Sequence, residues 1–473
     1  MASPKSKFWS RIAYACGTFG HDVFYAMLAM YFMIFVTSNL FHSDNHEHDA
    51  YMIGIVTTII LVLRIAELFI DPFIGNMIDK TKTRWGKFKP WVIVGAFVAA
   101  ISLAILFTDM GGLTVSNPML YLVLFALIYL IMDVFYSAKD VAIWSMIPAL
   151  SFDSHEREIT ATYARIGSVF GAQMITAIVM PVVLYFSLNE NGGAGDGTGW
   201  FAFAVIGGGI ATLGAVILGL GTKEETSALR ENKTETSFKD VFSILLKNDQ
   251  LLWVAIAYLV FGLGQNLVNN FNLYYFIYVL GDAKQFSFLG VINVIIGLLA
   301  VALFPTLTMK FSRRRLFFGS VSVMLVGIIL YALAGTSVIM TLFAAGLFAL
   351  PQPLIFLVVL MTITDTVEYG QLKLGHRDEA LVLCVRPLVD KLAGAVTGGL
   401  IGITAIWVGM TSGATAATIT PENLFNFKLV MFAAPFALIL IGAGIYRAKV
   451  TLTEAEHARI VEELEDKWHE MNQ

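Results

Sequence analysis

Asp71-Pro-Phe-Ile-Gly-Asn-Met-Ile-Asp-Lys-Thr-Lys-Thr-Arg-Trp-Gly-Lys-Phe-Lys-Pro-Trp91 is the stretch on which the fold turns. One long apolar run enters it from Tyr51 and another leaves it at Val92. Lys80, Lys82, Arg84, Lys87 and Lys89 are thereby confined to a short loop between two runs long enough to cross a bilayer. Lysine and arginine beside span ends resist translocation, so this loop is expected on the cytoplasmic side.

The rest of the chain agrees. It is 57% hydrophobic and 14% charged, with a mean hydropathy of +0.74. A soluble domain carries about 25% charge, so the excess apolar length must face lipid. At about 20 apolar residues per span, twelve spans are read at roughly 12–38, 51–74, 90–109, 119–148, 160–187, 200–221, 250–280, 286–309, 316–335, 338–364, 380–410 and 424–447. With the N-terminus inside, the inner segments hold Lys5, Lys7, Arg11, Lys80 to Lys89, Arg157, Lys223 to Lys247, Lys310, Arg313–Arg315, Lys373 and Arg377. The outer loops hold Lys284, with Lys428 near an outer span end, and the asymmetry predicts N-in/C-in. The first run is too long for a cleavable signal peptide. Cys16 and Cys384 both fall in spans and are expected to pack as small apolar residues rather than pair.

Two halves emerge, 1–221 and 250–447, with six spans each. Between them Thr222–Asp249 is polar and mixed in charge, which reads as a solvated cytoplasmic linker. Each half has a basic loop between its second and third spans, Lys80–Lys89 and Lys310–Arg315. That repetition predicts an all-α membrane protein with two parallel six-helix bundles, the plan of the major facilitator superfamily. Gly192–Gly199 reads as a flexible outer connector. From 448 to 473 the chain reads as a cytoplasmic tail helix, opened by a Thr453-x-x-Glu456 capping box. The segment His42–Asp49 offers three histidines and three acids, but in a spacing that matches no structural zinc pattern, so a solvated loop is expected.

Charges within the spans carry the functional signal. Each costs about 2.5–3.5 kcal/mol near a helix centre, so such residues face cavities and mark ion or substrate paths. The acids are Asp22, Glu67, Asp71, Asp133, Asp140 and Asp390; the bases are Arg64, Lys139, Arg165, Arg386 and Lys391; His21 adds a titratable group. Glu67 and Asp71 share a helix face, with Arg64 one turn earlier. Asp133 and Asp140 share another, with Ser137 between them, and Arg386 and Asp390 a third. Paired carboxylates repel unless a cation or a proton comes between them. Six acids against five bases leave one negative charge, matching one monovalent cation. The competing reading is structural: ion pairs that tie spans together, an open alternative for Arg64, Asp133 and Arg386. Tyr136, Asp140 and Trp144 recur at four-residue steps on one face of the fourth span. A carboxylate beside an indole suits a sugar, whose hydroxyls donate and whose ring packs on the aromatic face. Tyr136 equally fits an aromatic packing stripe. In the seventh span Gln265, Asn266, Asn269, Asn270 and Asn272 either bind hydroxyls or satisfy an unwound backbone.

Asp71-Pro-x-x-Gly-x-x-x-Asp79, followed by Thr83-Arg-Trp-Gly-Lys-Phe-Lys-Pro-Trp91, resembles the hallmark of the glycoside–pentoside–hexuronide:cation symporters. Gly17-Thr-Phe-Gly-His-Asp22, Asp140-x-x-x-Trp144-Ser-x-x-Pro148, His155-Glu-Arg-Glu158, Glu368-Tyr-Gly-x-x-Lys373 and Asp390-Lys391 extend the resemblance over nearly the whole chain. It implies sugar-site roles for Asp22, Asp140, Trp144 and Arg165, flanked by Tyr136, and a sugar-site and coupling role for Lys391. It implies a cation site at Glu67, Asp71, Ser137 and Asp140, open to Na+ or a proton, and an inner gate at Gly75, Asp79 and Arg84. The chain departs from the best-known family pattern in three places. Glu67 replaces a shorter aspartate, His21 replaces a lysine, and Lys139 stands beside Asp140 where that pattern is uncharged. A tethered ammonium there takes the place of Na+, which favours proton coupling. Phe24-Tyr-Ala, Ser137-Ala-Lys-Asp140 and the linker are most similar to xyloside (isoprimeverose) transporters, implying a xylose-containing disaccharide or another pentoside. With Gln473 as the last residue, the fused phosphotransferase-type domain that some relatives of the resembled family carry is not expected.

The expectation is a multi-pass protein of the bacterial plasma membrane that imports a sugar with a monovalent cation and has no cofactor. The rivals are an exchanger or uniporter of the same fold, a sugar sensor, and a membrane-embedded glycosyltransferase. The last lacks an Asp-x-Asp pair and a large soluble loop.

Overall fold

The computed structural model describes residues 4–41, 45–150, 154–189, 191–224, 243, 245–375, 379–411 and 413–471. Twelve helices among them are long and apolar enough to cross a membrane. They are α1 (Lys7–Leu40), α2 (His46–Asp71), α3 (Lys89–Leu106), α4 (Pro118–Ile147), α5 (Ile159–Phe186), α6 (Gly197–Gly221), α7 (Asp249–Val279), α8 (Ala283–Phe304), α9 (Arg313–Leu333), α10 (Val338–Leu374), α11 (Val385–Trp407) and α12 (Pro421–Lys449). A further helix, α13 (Glu454–Met471), follows. Every span read from hydropathy has its helix. The difference of most consequence is that the helix carrying α2 runs on to Asp79, so 75–79 is helical rather than loop.

Local chemistry sets the ends. Pro90 stands in the first turn of α3, where its missing N–H costs nothing. Ser312 and Ser337 cap α9 and α10 with their hydroxyls. Gly375, at φ +80°, closes α10 in the left-handed region. The Thr453 hydroxyl accepts from Glu456 N at 3.3 Å, so half of the capping box expected at α13 is made. Gly192–Gly199 is tied down by Asp196, whose carboxylate accepts from the backbone N–H groups of Leu188, Asn189, Thr198 and Gly199 at 2.7–3.0 Å. Burial pulls the Asp196 pKa up, but these four donors together outweigh it and hold the group below the ordinary aspartate value.

π-helical turns interrupt α1 at Met27–Tyr31 and Val36–Leu40, and form the end of α7 at Tyr275–Val279. Such turns rotate the helix that follows and concentrate at functional sites.

The chain forms two compact units that do not coincide with the two halves of the repeat. The first gathers Met1–Glu235, Asn270–Val294 and Gly398–Phe427; the second gathers Thr236–Asn269, Ile295–Thr397 and Lys428–Gln473. In the first, α1 lies flush on α5 because glycines remove the side chains between them. A methyl group at Gly167 would fall 2.1 Å from the Ala15 carbonyl oxygen, and one at Gly171 would fall 2.2 Å from that of Phe19. This small-residue packing replaces the hydrophobic effect, which lipid does not supply between helices. Thr18 adds a hydrogen bond to the Ala164 carbonyl at 2.8 Å. An aromatic core of Phe32, Phe35, Phe107, Trp200 and Phe203 fills this unit away from the basic loop. In the same unit Thr37 bonds Tyr274 at 2.7 Å and Ser38 bonds Tyr278 at 2.9 Å, joining the π-helical turn of α1 to the last residues of α7.

In the second unit Phe317 stacks on Tyr446 at 4.3 Å, and the Tyr446 hydroxyl meets Thr362 at 3.0 Å. Gln250 accepts from Thr451 N and Leu452 N at 2.9 and 3.3 Å, which fixes the approach to α13. Val62, Phe69, Leu213 and Ile339, each more than half exposed, supply the apolar surface that a bilayer covers.

Candidate functional site

α4 organises the site. It is a continuous helix, so Tyr136, Asp140 and Trp144 fall on one face at four-residue steps. α1 brings His21, Asp22 and Phe24 against it. His21 Nε2 lies 3.1 Å from Asp140 Oδ1 and 3.4 Å from the Tyr136 hydroxyl. The His21 ring stacks on Tyr136 with centroids 5.4 Å apart, and Phe24 stacks on Tyr136 at 5.2 Å. Tyr136 is 6% exposed, so it serves as a packing platform; Trp144 is 38% exposed. Sequence spacing puts the three on one face and leaves Tyr136 open to the packing reading.

Lys139 is 1% exposed. Its ammonium lies 5.0 Å from the Phe24 centroid and 5.4 Å from that of Tyr136, and donates no hydrogen bond among the described residues. A desolvated cation–π contact contributes about 2 kcal/mol, far less than burying a lone ammonium costs. The balance falls to Asp140 and Asp22, whose charges both act on it. Gly95 on α3 makes room: a methyl group there would lie 2.7 Å from the Phe135 carbonyl and 3.0 Å from Lys139 Cβ.

Asp22 takes a hydrogen bond from Ser168 on α5 and feels His21, Arg165 and Asp140. Its Oδ2 is buried and accepts from no described residue. Leaving a buried acceptor unpaired costs about 1–3 kcal/mol, more for a charged one, and a hydroxyl donor would remove that cost. Arg165, on α5, is exposed at the edge of this group.

The cation candidates on α2 face the same helix. The Ser137 hydroxyl donates to Asp71 Oδ1. Glu67, one turn earlier, is 8% exposed and acts electrostatically on Tyr129 and Tyr136. Arg64 donates from Nε to the Tyr129 hydroxyl at 3.0 Å and from a terminal nitrogen to the Leu28 carbonyl at 3.3 Å, and it acts on buried Asp133. Between the two readings of Arg64, this geometry is that of a tie among α1, α2 and α4. Among the described residues no three histidine, cysteine, aspartate or glutamate side chains gather closely enough to hold a metal ion. His42 and Asp44 lie outside those residues.

Lys391 belongs to the second unit, half-buried on α11. Next to it Arg386 and Asp390 form an ion pair at 2.7 Å, with the guanidinium 4.9 Å over the Phe356 ring. The four-residue spacing had anticipated that pair.

Of the gate candidates, Gly75 sits inside the helix of α2, where a methyl group would meet nothing within 4 Å. Arg84 is exposed in the turn. Asp79 ends the helix, and its side chain lies outside the described residues, as do those of Arg157 and Arg377. A residue outside the motif orders this loop. The Glu224 carboxylate accepts from Lys87 N, Phe88 N and Lys89 N at 2.7, 3.1 and 3.0 Å. Gly86 at φ +114° leaves the space, since a Cβ there would sit 2.5 Å from that carboxylate. The Lys89 ammonium answers by donating to the Thr222 carbonyl. Thr222 to Glu224 had been read as solvated linker; an acid just after the sixth span was the one signal available. Residues 225–242 of that linker lie outside the described set. Glu156 is held by Arg11 at 2.5 Å and Lys7 at 3.1 Å, and these hydrogen bonds bring its pKa below the usual glutamate value.

A family profile described as MFS/sugar transport protein matches residues 13–451. The chain is 51% identical over 461 residues to a lactose permease of Lactobacillus delbrueckii subsp. bulgaricus, covering 98% of this chain and 73% of that protein. It is also 51% identical to a raffinose carrier protein of Pediococcus pentosaceus, covering 97% and 72%. An isoprimeverose transporter of Lactiplantibacillus pentosus is 29% identical, covering 82% and 79%. Among solved structures, the nucleoside transporter NupG superposes with a TM-score of 0.59 at 13% identity, covering 94% of this chain and 99% of that one, a likeness of fold alone.

Proposed function

The chain belongs to the MFS/sugar transport protein family, and on that premise we propose that it imports a galactoside of two or three rings together with a proton. It is a transporter of sugars in a bacterial plasma membrane and not an enzyme. Lactose and raffinose, named for the two relatives at 51% identity, share a terminal galactosyl ring in opposite anomeric forms. The xyloside reading of the sequence yields to this one because the isoprimeverose transporter stands at 29%.

The single observation that carries the reading is the buried, donor-free Oδ2 of Asp22 beside the His21–Asp140 contact. Two carboxylates close together on α1 and α4 suit adjacent ring hydroxyls, which would supply the missing donor. Trp144, half exposed one turn beyond Asp140, offers an indole face for the apolar side of the ring. Arg165 completes the sugar set, and Lys391, in the second unit, takes the coupling role. Because a hydroxyl donating to a carboxylate makes a charge-assisted bond, each such contact contributes about 1.5–3 kcal/mol.

Coupling follows from the charge count. Lys139 lies in the field of Asp140 and Asp22; with its ammonium set against those two acids, Asp71 and Glu67 are left to take a proton rather than a second bound cation. Protonation on α2 and sugar binding on α1 and α4 then bias the same two-state equilibrium of alternating access. The gate segment, with Gly75 and Asp79 on the end of the α2 helix and Arg84 in the turn after it, closes the cytoplasmic side.

Uptake by proteoliposomes under an imposed pH gradient tests this reading. Accumulation of lactose or raffinose driven by external acid, unchanged by Na+, is expected, and Asp71→Asn should abolish it while leaving counterflow exchange. Accumulation that requires Na+ at fixed pH would overturn proton coupling. Counterflow with no uphill uptake in the unmodified protein would make the chain an exchanger.

A further inference from the structure

The basic residues where α9 begins and α12 ends play no part in the site above. Both helix ends belong to the second unit. They pack side by side: Phe317 stacks on Tyr446 at 4.3 Å, and a terminal nitrogen of Arg314 donates to the Arg447 carbonyl at 2.7 Å. That packing gathers Lys310, Arg314, Arg315, Arg447 and Lys449 at one end of the two spans, although more than 130 residues separate Arg314 from Arg447 in the chain. Lys310, Arg315, Arg447 and Lys449 are exposed, and Arg314 is half-buried.

The acids of the same region are already engaged. Asp365 and Glu454 lie 2.6 and 3.4 Å from Arg313, and Glu454 also accepts from the Arg313 N–H. Glu368 faces His457, and Asp249 pairs with Lys373. Among the described residues none of the five basic side chains gathered here forms an ion pair. Arg314 spends one donor on a carbonyl, and Lys449 rests 5.0 Å over the Trp253 ring, both neutral contacts. Like charges gathered at one end of a helix pair repel one another. An anion between them would remove that repulsion and take up the guanidinium donors, which suit a phosphate in bidentate fashion.

The position of the group selects the anion. Arg313 opens α9 and Lys449 closes α12, so the cations stand at span ends, at the level of lipid headgroups. Basic clusters in that place attract anionic lipid. Further into the spans the exposed side chains of the same two helices are apolar, with Val323 and Val326 on α9 and Leu440 and Ile441 on α12. Phe311, 48% exposed, stands in the turn beside Lys310. A phosphate dissolved in water would meet only the charges. A phospholipid would meet the charges with its headgroup and the apolar surface with its chains.

We propose that Arg314, Arg315 and Arg447 hold the phosphate of an anionic phospholipid across the ends of α9 and α12, with Lys310 and Lys449 at the rim. The site lies wholly within the second unit and does not depend on which solute the protein carries.

Phosphatidylglycerol titrated into the full-length protein in a neutral detergent, with bound lipid counted by native mass spectrometry, tests this. Phosphatidylcholine and glycerol phosphate serve as the zwitterionic and the water-soluble probes. Unmodified protein is compared with Arg315→Gln, Arg447→Gln and Arg459→Gln; the last removes the same charge from an exposed position on α13. Unmodified protein should bind phosphatidylglycerol more tightly than phosphatidylcholine, and glycerol phosphate should not displace it. Arg315→Gln and Arg447→Gln should each weaken phosphatidylglycerol binding about fivefold, with phosphatidylcholine binding and the lipid-free melting temperature held, and Arg459→Gln should leave all of these in place. Equal binding of the two lipids by unmodified protein would overturn the proposal and leave the cations as orienting charges only. Equal weakening by all three variants would also overturn it, showing diffuse attraction to net charge. Displacement by glycerol phosphate would make this a site for a soluble phosphate and overturn the lipid assignment. Lowered lipid-free melting with an unchanged lipid profile would show a structural role and overturn it as well.

Discussion

The two basic loops from which a repeat is expected, Lys80–Lys89 and Lys310–Arg315, are held by the same device built in two ways. In the first unit Glu224, just beyond α6, caps the start of α3 through three backbone N–H groups. In the second Glu454, just beyond α12, reaches the start of α9 and accepts from Arg313 N at 2.7 Å. A carboxylate at a helix N-terminus meets orphan donors and the positive end of the dipole, which explains why both halves settle on it. The partners differ. Arg313 also pairs with Asp365 at 2.6 Å and lies 3.4 Å from Glu454, while His457 on α13 stands 3.5 Å from Glu368 and 3.9 Å from Asp365. The first loop is thus held mainly through its backbone and the second mainly through a side chain. Repetition in the sequence preserved where a carboxylate is needed, and left open what else it would hold.

This contrast is open to test by substitution. Arg313→Ala is expected to have the largest effect, about 3 kcal/mol, because it leaves Asp365, 12% exposed, without its guanidinium. Arg84→Ala, at an exposed position of the first loop, should stay within about 0.5 kcal/mol. Equal losses for the two in denaturant titration would erase the distinction. Glu224→Ala should cost about 2 kcal/mol, and Gly86→Ala at least as much, since its Cβ displaces the same carboxylate and strains a positive φ. Full stability in Glu224→Ala would mean that water replaces the cap and that the first loop needs no staple. Glu454→Ala removes one backbone partner and an exposed ion pair, so about 1 kcal/mol is expected, read as a lower melting temperature. The smallest effect concerns pH. Glu156 is depressed by Arg11 and Lys7, so its contribution is complete above the ordinary glutamate value of about 4.3 and is lost as pH falls through its lower folded value. Glu156→Gln should therefore lower stability slightly at neutral pH and leave a shallower decline below about pH 4. A mutant curve parallel to that of the unmodified protein would remove Glu156 from the acid transition.

The sequence resolved what repeats within one helix. Hydropathy located the twelve spans, and four-residue steps put Tyr136, Asp140 and Trp144 on one face and paired Arg386 with Asp390. It could not show which of its charges meet across helices. Arg64 shares a face with Glu67, yet its guanidinium goes to Tyr129 and Leu28. Glu224 sat unnoticed in a polar linker, and Gln352 gave no periodic signal that it would accept from Gln265 and Asn269.

By itself, then, the amino-acid order determined the number of membrane crossings and the neighbours on each helix, because lipid demands long apolar runs and the α-helix has a fixed period. Only the tertiary structure decided that His21 meets Asp140, that Lys139 lies against Phe24 and Tyr136, and that Glu224 closes the first basic loop. Those contacts depend on how far each helix is turned about its own axis, a quantity set by glycines such as Gly95 and Gly167 and by π-helical turns, and no one-dimensional pattern encodes it.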